Sequence, residues 1–213
     1  MLFRSGPVLR LAFGAIRGAI SDPATRRVFA VFGISFLATQ MARPYLPILV
    51  ERLNATGVGL ASDIALVAGT AALAGALVSP VGGAIGDRIG FRPVLLGALI
   101  VGGCVIALSP FAPSVILLAL TALVFAATTA VVSAMVFGLL ATEVPPERRS
   151  ATLNLVYLPL YAAGLVGPLA GSVLVGGGIA LPFVAAGAIV IVTGVILAVR
   201  RGRSASPTVA ASN

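Results

Sequence analysis

Six long apolar runs, separated by short polar stretches, constrain this chain more than anything else in it. They lie near residues 28–50, 64–86, 93–109, 114–140, 151–175 and 179–199. At roughly 1.5 Å of helix per residue, each is suited to crossing a hydrocarbon layer about 30 Å thick. No water is present there to satisfy a peptide group, which leaves helices or a closed barrel. The runs are continuous rather than alternating, and that selects helices. Only 9% of the 213 residues are charged and 59% are hydrophobic, where a soluble domain carries about 25% charge. The expected fold is all-α: a polytopic membrane protein built as a bundle of six transmembrane helices.

The charges sit mostly between the runs, and their placement orients the chain. Arg4, Arg10, Arg17, Arg26 and Arg27 precede the first run or open it. Asp87, Arg88 and Arg92 separate the second from the third, Glu143, Glu147, Arg148 and Arg149 the fourth from the fifth, and Arg200, Arg201 and Arg203 follow the sixth. All of these fall on one side, while Arg52 is the single base of the opposite connections. By the positive-inside rule both termini are cytoplasmic, and the expected location is a bacterial plasma membrane. Residues 1–27 read as a basic amphipathic segment, with Leu9, Phe13, Ile16 and Ile20 as the apolar stripe of an interfacial helix on an anionic leaflet. A signal peptide is the competing reading, opposed by Arg10 and Arg17 inside its would-be apolar core. Asp22-Pro23 has the form of a helix start. The transmembrane domain is expected over 28–200 and a disordered cytoplasmic tail over 201–213.

The same inventory narrows function. The net charge of +8 is spread along membrane connections rather than gathered on a stacking surface, so no nucleic acid partner is expected. The lipid bilayer is the expected environment, and a small-molecule solute the expected ligand. Histidine is absent, which removes the commonest metal ligand and proton shuttle. Cys104, the single cysteine, lies within a run and reads as packing. Neither a metal site nor a cofactor is expected. No nucleophile has a base within reach and no acidic pair lies inside a run, so the chain is not expected to be an enzyme.

Polar side chains within the runs are the candidates for a solute path. Ser35, Thr39 and Arg43 recur at steps of four on one face of the first span, with Gln40 beside them. Arg43 lies roughly 22 Å along that helix, and it either faces a cavity or snorkels to the outer headgroups, helped by bending at Pro44 and Pro47. Asp63 is a helix-start carboxylate or a partner for Arg43. Thr128 shares a face of span four with Thr121, beside Thr129 and Ser133, where packing is the ordinary role of a hydroxyl. In span five, Asn154, Tyr157 and Tyr161 share a face and either line a path or mark the interface. The same span carries Gly164, Gly167, Pro168 and Gly171, the pattern of a bendable helix that packs closely on a neighbour. Pro80-x-x-Gly83 in span two echoes Pro168-x-x-Gly171, which hints at related three-span halves. Spans three and six are the poorest in polar groups. Four helices, one, two, four and five, are therefore expected to border a cavity, and three and six to stand outside it.

The stretch from Gly82 to Pro93 reads as a tight turn with a charged cluster. Within it, Gly83-x-x-x-Asp87-Arg88-x-Gly90-x-Arg92 resembles the signature loop between helices two and three of a half of the major facilitator superfamily. Phe91 stands where that family often has a base. Over about residues 22–200 the chain is similar to the C-terminal six-helix half of a drug-efflux-type member. The resemblance implies a transporter of a small, amphipathic or drug-like solute by alternating access, with efflux as the direction. It further implies a gating loop of Gly83, Asp87, Arg88, Gly90 and Arg92, in which Asp87 pairs with the helix-five end and nearby arginines. A second six-helix unit is implied as partner, either another copy or a separate N-terminal half. The alternatives are an inactive fragment or a non-transporting structural or regulatory membrane subunit.

Overall fold

The computed structural model describes residues 22–54, 56–144, 152 and 155–204. Among them the chain is helical, without strands. Helix α1 spans Pro23–Ala42, a 3-10 turn Arg43–Tyr45, α2 Leu46–Leu53, α3 Leu60–Ile89 and α4 Phe91–Leu108. A second 3-10 turn, Ser109–Phe111, leads to α5 over Val115–Glu143, then α6 over Tyr157–Val175 and α7 over Leu181–Ser204.

The helix starts follow the local chemistry. The Asp22 carboxylate accepts from the Thr25 amide at 2.8 Å and Pro23 opens the helix, as the Asp-Pro pair predicts. Ser114 caps α5 by accepting from the Leu117 amide at 3.3 Å. Helices α3 to α7 are long and apolar enough to cross a membrane. The first apolar run is not among them, and it is broken. Neither Pro44 nor Pro47 has an amide proton for an i to i−4 bond, and the run over 28–50, where bending at these prolines is expected, is built as α1, the 3-10 turn and α2.

The expected tight turn over 82–93 requires correction. Helix α3 runs through Gly82, Gly83 and Gly86 to Ile89, and α4 begins at Phe91. Gly90 alone makes the junction, at a φ of 101° that a side chain would oppose. The neighbouring glycines serve packing instead. A Cβ on Gly82 would lie 3.0 Å from a Val131 methyl, and one on Gly86 would lie 2.6 Å from Met135 Cε and 2.8 Å from the Phe91 ring. Phe91, which departs from the family pattern, thus fills the corner between α3 and α5. Its ring also closes on Gly138, where a Cβ would come to 2.6 Å.

The helices form a ring of four with two attached. Helix α4 packs along α7 and α5, α1 packs along α7 and α5, α3 lies against α5, and α6 lies against α1. Lipid is as apolar as leucine, so close approach between small residues holds such helices together. A Cβ on Gly167 would meet Gln40 Cβ at 2.6 Å and the Leu37 carbonyl at 3.1 Å. One on Gly171 would meet the Met41 carbonyl at 2.5 Å. Between α4 and α7, Gly187 sits on the Gly103 carbonyl and Gly194 on Ile100. These contacts give the register: α1 with α6 and α3 with α5 run parallel, and α4 with α7 antiparallel.

The expected symmetry takes a different form from the Pro-x-x-Gly echo. Gly171 packs tightly, but a Cβ on Gly83 would meet nothing within 4 Å. The matching device is Gly82 with Gly86 on α3 against α5, and Gly167 with Gly171 on α6 against α1. Each pair is spaced by four and lies in the later half of its helix. Spans two and four thus pair as spans five and one do, the relation expected of inverted three-span repeats.

Candidate functional site

The four elements α1, α2, α3 and α5, with the ends of α4 and α7, enclose a cavity of about 510 Å³. It lies towards the connection between α2 and α3. Its wall is mostly small and apolar: Ala68, Ala71, Ala72 and Gly75 from α3 at helical spacing, and Ala122, Ala126 and Ala130 from α5. Such residues leave volume where leucines would fill it. Ile106, Ser109 and Phe183 complete the wall from the ends of α4 and α7 and the second 3-10 turn, and Phe183 is fully buried.

The polar groups on this wall are few. Thr39 and Arg43 contribute from the first span, Thr129 and Ser133 from α5, and Ser109 from the second 3-10 turn. Each hydroxyl is turned back on its own helix. Thr39 donates to the Ser35 carbonyl at 3.0 Å, Thr129 to Phe125 at 2.8 Å, Ser133 to Thr129 at 3.0 Å and Ser109 to Val105 at 3.0 Å. Their protons are committed, and their oxygens keep acceptor capacity. Arg43 is the single charged residue of the wall among those described, and it is exposed.

At the other end of the bundle the first span closes on aromatic rings. Phe32 of α1 and Phe137 of α5 meet edge to face at 6.0 Å between centroids, and Phe137 and Tyr157 of α6 lie 6.5 Å apart. Phe36 extends the cluster at 6.4 Å from Phe32. Aromatic pairs prefer such tilted arrangements and add about 0.5–1.5 kcal/mol each beyond their burial. The charged residues of the expected gate lie beyond this closure. Asp87 and Arg88 occupy the last turn of α3 and Arg92 the first turn of α4, all exposed. Arg88 complements the negative end of the α3 dipole there. The helix-five start expected to receive Asp87 lies outside the described residues, as do Glu147, Arg148 and Arg149.

Of the expected cavity residues, the structure brings Thr39 and Arg43 to the wall and places the other described ones elsewhere. Ser35 is buried and donates to the Val31 carbonyl at 2.8 Å. Gln40 lies in the α1–α6 crossing over Gly167 and Gly164. Thr128 is directed at α4, where its Oγ1 would stand 2.6 Å from a Cβ on Gly102. Its neighbours Thr129 and Ser133 face the cavity instead. Tyr157 joins the aromatic cluster, Tyr161 is 75% exposed, and neither reaches the wall. Asn154 lies outside the described residues. So do the segment 1–21, expected to be interfacial, and the last residues of the expected tail.

Two larger expectations change as a result. Among the described residues span five supplies none to the cavity wall, and its glycine face is spent on α1. Spans three and six reach the cavity through Ile106, Ser109 and Phe183, and their pairing through Gly103 and Gly187 puts them among the better buried helices. Asp63 does not reach Arg43; it accepts from Asn54 Nδ2 at 2.8 Å, and that amide also donates to the Val58 carbonyl at 2.9 Å. The carboxylate thus ties the α2–α3 connection to the first turn of α3. The small-residue face Ala68, Ala71, Ala72 and Gly75 was a signal in the sequence that polarity-based reasoning passed over.

The sequence model of the Major Facilitator Superfamily matches residues 28–213. No curated protein matches the chain.

Proposed function

The chain belongs to the major facilitator superfamily, a family of membrane transporters, and from that premise we propose that it moves a small amphipathic, drug-like solute by alternating access, in the outward direction. The observation that carries this reading is the asymmetry of the bundle. A 510 Å³ cavity occupies the end near the α2–α3 connection, and the Phe32, Phe137 and Tyr157 rings close the other. A carrier open to one side has this form. In the proposed topology both termini are cytoplasmic in a bacterial plasma membrane, so the cavity faces outward. A second six-helix unit, another copy or a separate half, completes the path, because the wall formed by α1, α3 and α5 encloses a solute from one side. Asp87, Arg88 and Arg92 act as the inner latch, and loss of the charge on Asp87 weakens the outward-open state.

The test is flux of a lipophilic fluorescent dye across vesicles containing the purified chain. Asp87→Asn is expected to lower the flux several-fold while the amount of inserted protein stays the same. Flux unchanged in that variant removes the latch. Stable co-purification with another membrane protein, without flux of any solute, replaces the carrier by a structural or regulatory subunit.

A further inference from the structure

We propose that the cavity selects solutes carrying one anionic group on an apolar body, with Arg43 as the anchor for that group. This rests on the transport reading above and adds the substrate class. A cavity with apolar walls offers a bound solute little polar recognition, so the few groups that can donate decide which polar end is accepted. The hydroxyls of Thr39, Ser109, Thr129 and Ser133 spend their protons on carbonyls of their own helices. They accept from a solute more readily than they donate to it. The guanidinium of Arg43 is the remaining donor of the described wall, and it brings five N–H groups and a fixed charge.

No acid balances that charge within the wall. Among the described residues, the lining contains no carboxylate; Asp63 in the first turn of α3 is held by Asn54, and Glu51 of α2 is not part of the wall. A cation close to hydrocarbon is costly unless water or a counter-charge reaches it. A carboxylate, sulfonate or phosphate ester supplies that counter-charge through paired N–H···O contacts, which a neutral amide cannot match in strength. The alanines and Gly75 opposite receive the apolar body. A cationic amphiphile, by contrast, would meet Arg43 as a like charge.

The experiment compares benzoate, benzamide and benzylammonium, three molecules of nearly one shape, in equilibrium binding to the full chain in lipid nanodiscs. Benzoate is expected to bind roughly tenfold more tightly than benzamide, the worth of a charge-assisted contact, and benzylammonium least. Arg43→Gln is expected to erase the preference for benzoate while leaving benzamide within about twofold. Arg43→Lys, which keeps the charge and loses the fork, retains part of it. Gly75→Leu, which occupies the cavity, lowers binding of both. Equal binding of benzoate and benzamide by the unaltered chain, absence of saturable benzoate binding, or an Arg43→Gln variant that loses both alike overturns the proposal. Dye flux measured in parallel separates this from the transport reading. Benzoate selectivity without flux sinks transport and keeps the anion site, whereas flux that Arg43→Gln does not alter, with no benzoate preference, does the reverse.

Discussion

The two parallel helix pairs, α1 with α6 and α3 with α5, are built with the same device and differ in what the device touches. On α6, Gly167 and Gly171 face main chain and atoms fixed to it: Gln40 Cβ at 2.6 Å with the Leu37 carbonyl at 3.1 Å, and the Met41 carbonyl at 2.5 Å with the Tyr45 ring at 2.8 Å from where a Cβ would be. On α3, Gly82 and Gly86 face side chains, a Val131 methyl at 3.0 Å and the flexible end of Met135 at 2.6 Å, with the Phe91 ring at 2.8 Å. A contact with a backbone can be relieved only by separating two helices. A contact with a methionine end can be relieved by a rotamer change. The α1–α6 pair is therefore the stiffer unit and the α3–α5 pair the more adaptable one, and the cavity lies along the adaptable pair.

The difference can be broken or sharpened by one substitution moved through the bundle, with unfolding of the protein in lipid nanodiscs as the measurement. Gly171→Ala should cost the most, about 3 kcal/mol, because overpacking against a carbonyl forces backbone shifts. A loss below about 1 kcal/mol would show that the pair separates easily and is not the stiffer unit. Gly86→Ala should cost about 1 kcal/mol, the overpacking being offset by rotation of Met135 and by the better helix propensity of alanine. Gly75→Ala, where a Cβ meets nothing within 4 Å, should stabilise the helix by up to about 1 kcal/mol. That last variant also narrows the cavity, so weaker solute binding together with greater stability is its expected signature.

The reading of the gate depends on the same comparison. Helix α3 carries Asp87 and Arg88 at its end and continues unbroken through Pro80, so a movement of α3 against α5 carries the charged cluster with it. The Phe91 ring, where the family often has a base, contributes packing against Gly86 and Gly138 at this place and not charge.

Some of this was legible in the residues. Asp22-Pro23 and Ser114 marked true helix starts, and the run lengths marked the crossings. The motif from Gly83 to Arg92 identified the family. The cavity was less legible, because polarity marks a solute path only where the side chain faces open space, and most polar residues here serve packing: Gln40 on Gly167, Thr128 on Gly102, Tyr157 on Phe137. The hydroxyl one step from Thr128, on Thr129, faces the open space, as does that of Ser133. A step of one residue turns a side chain by about 100° around a helix, and polarity does not reveal that angle.

The sequence by itself determined that this chain lives in a membrane and where its long apolar helices lie, because both follow from run length against bilayer thickness. Each of those is a local property. It also determined the charged junction, since a bilayer leaves a row of arginines few other places to lie. Which face of each helix meets which neighbour was decided by the tertiary structure. A helix in lipid is apolar nearly all round, so no stripe of hydrophobic residues points inward as it would in water. The faces are set by where small residues let two backbones approach, and a glycine shows its partner only when the register of both helices is known. Gly83 and Gly171 look alike as letters; one faces open space and the other a carbonyl.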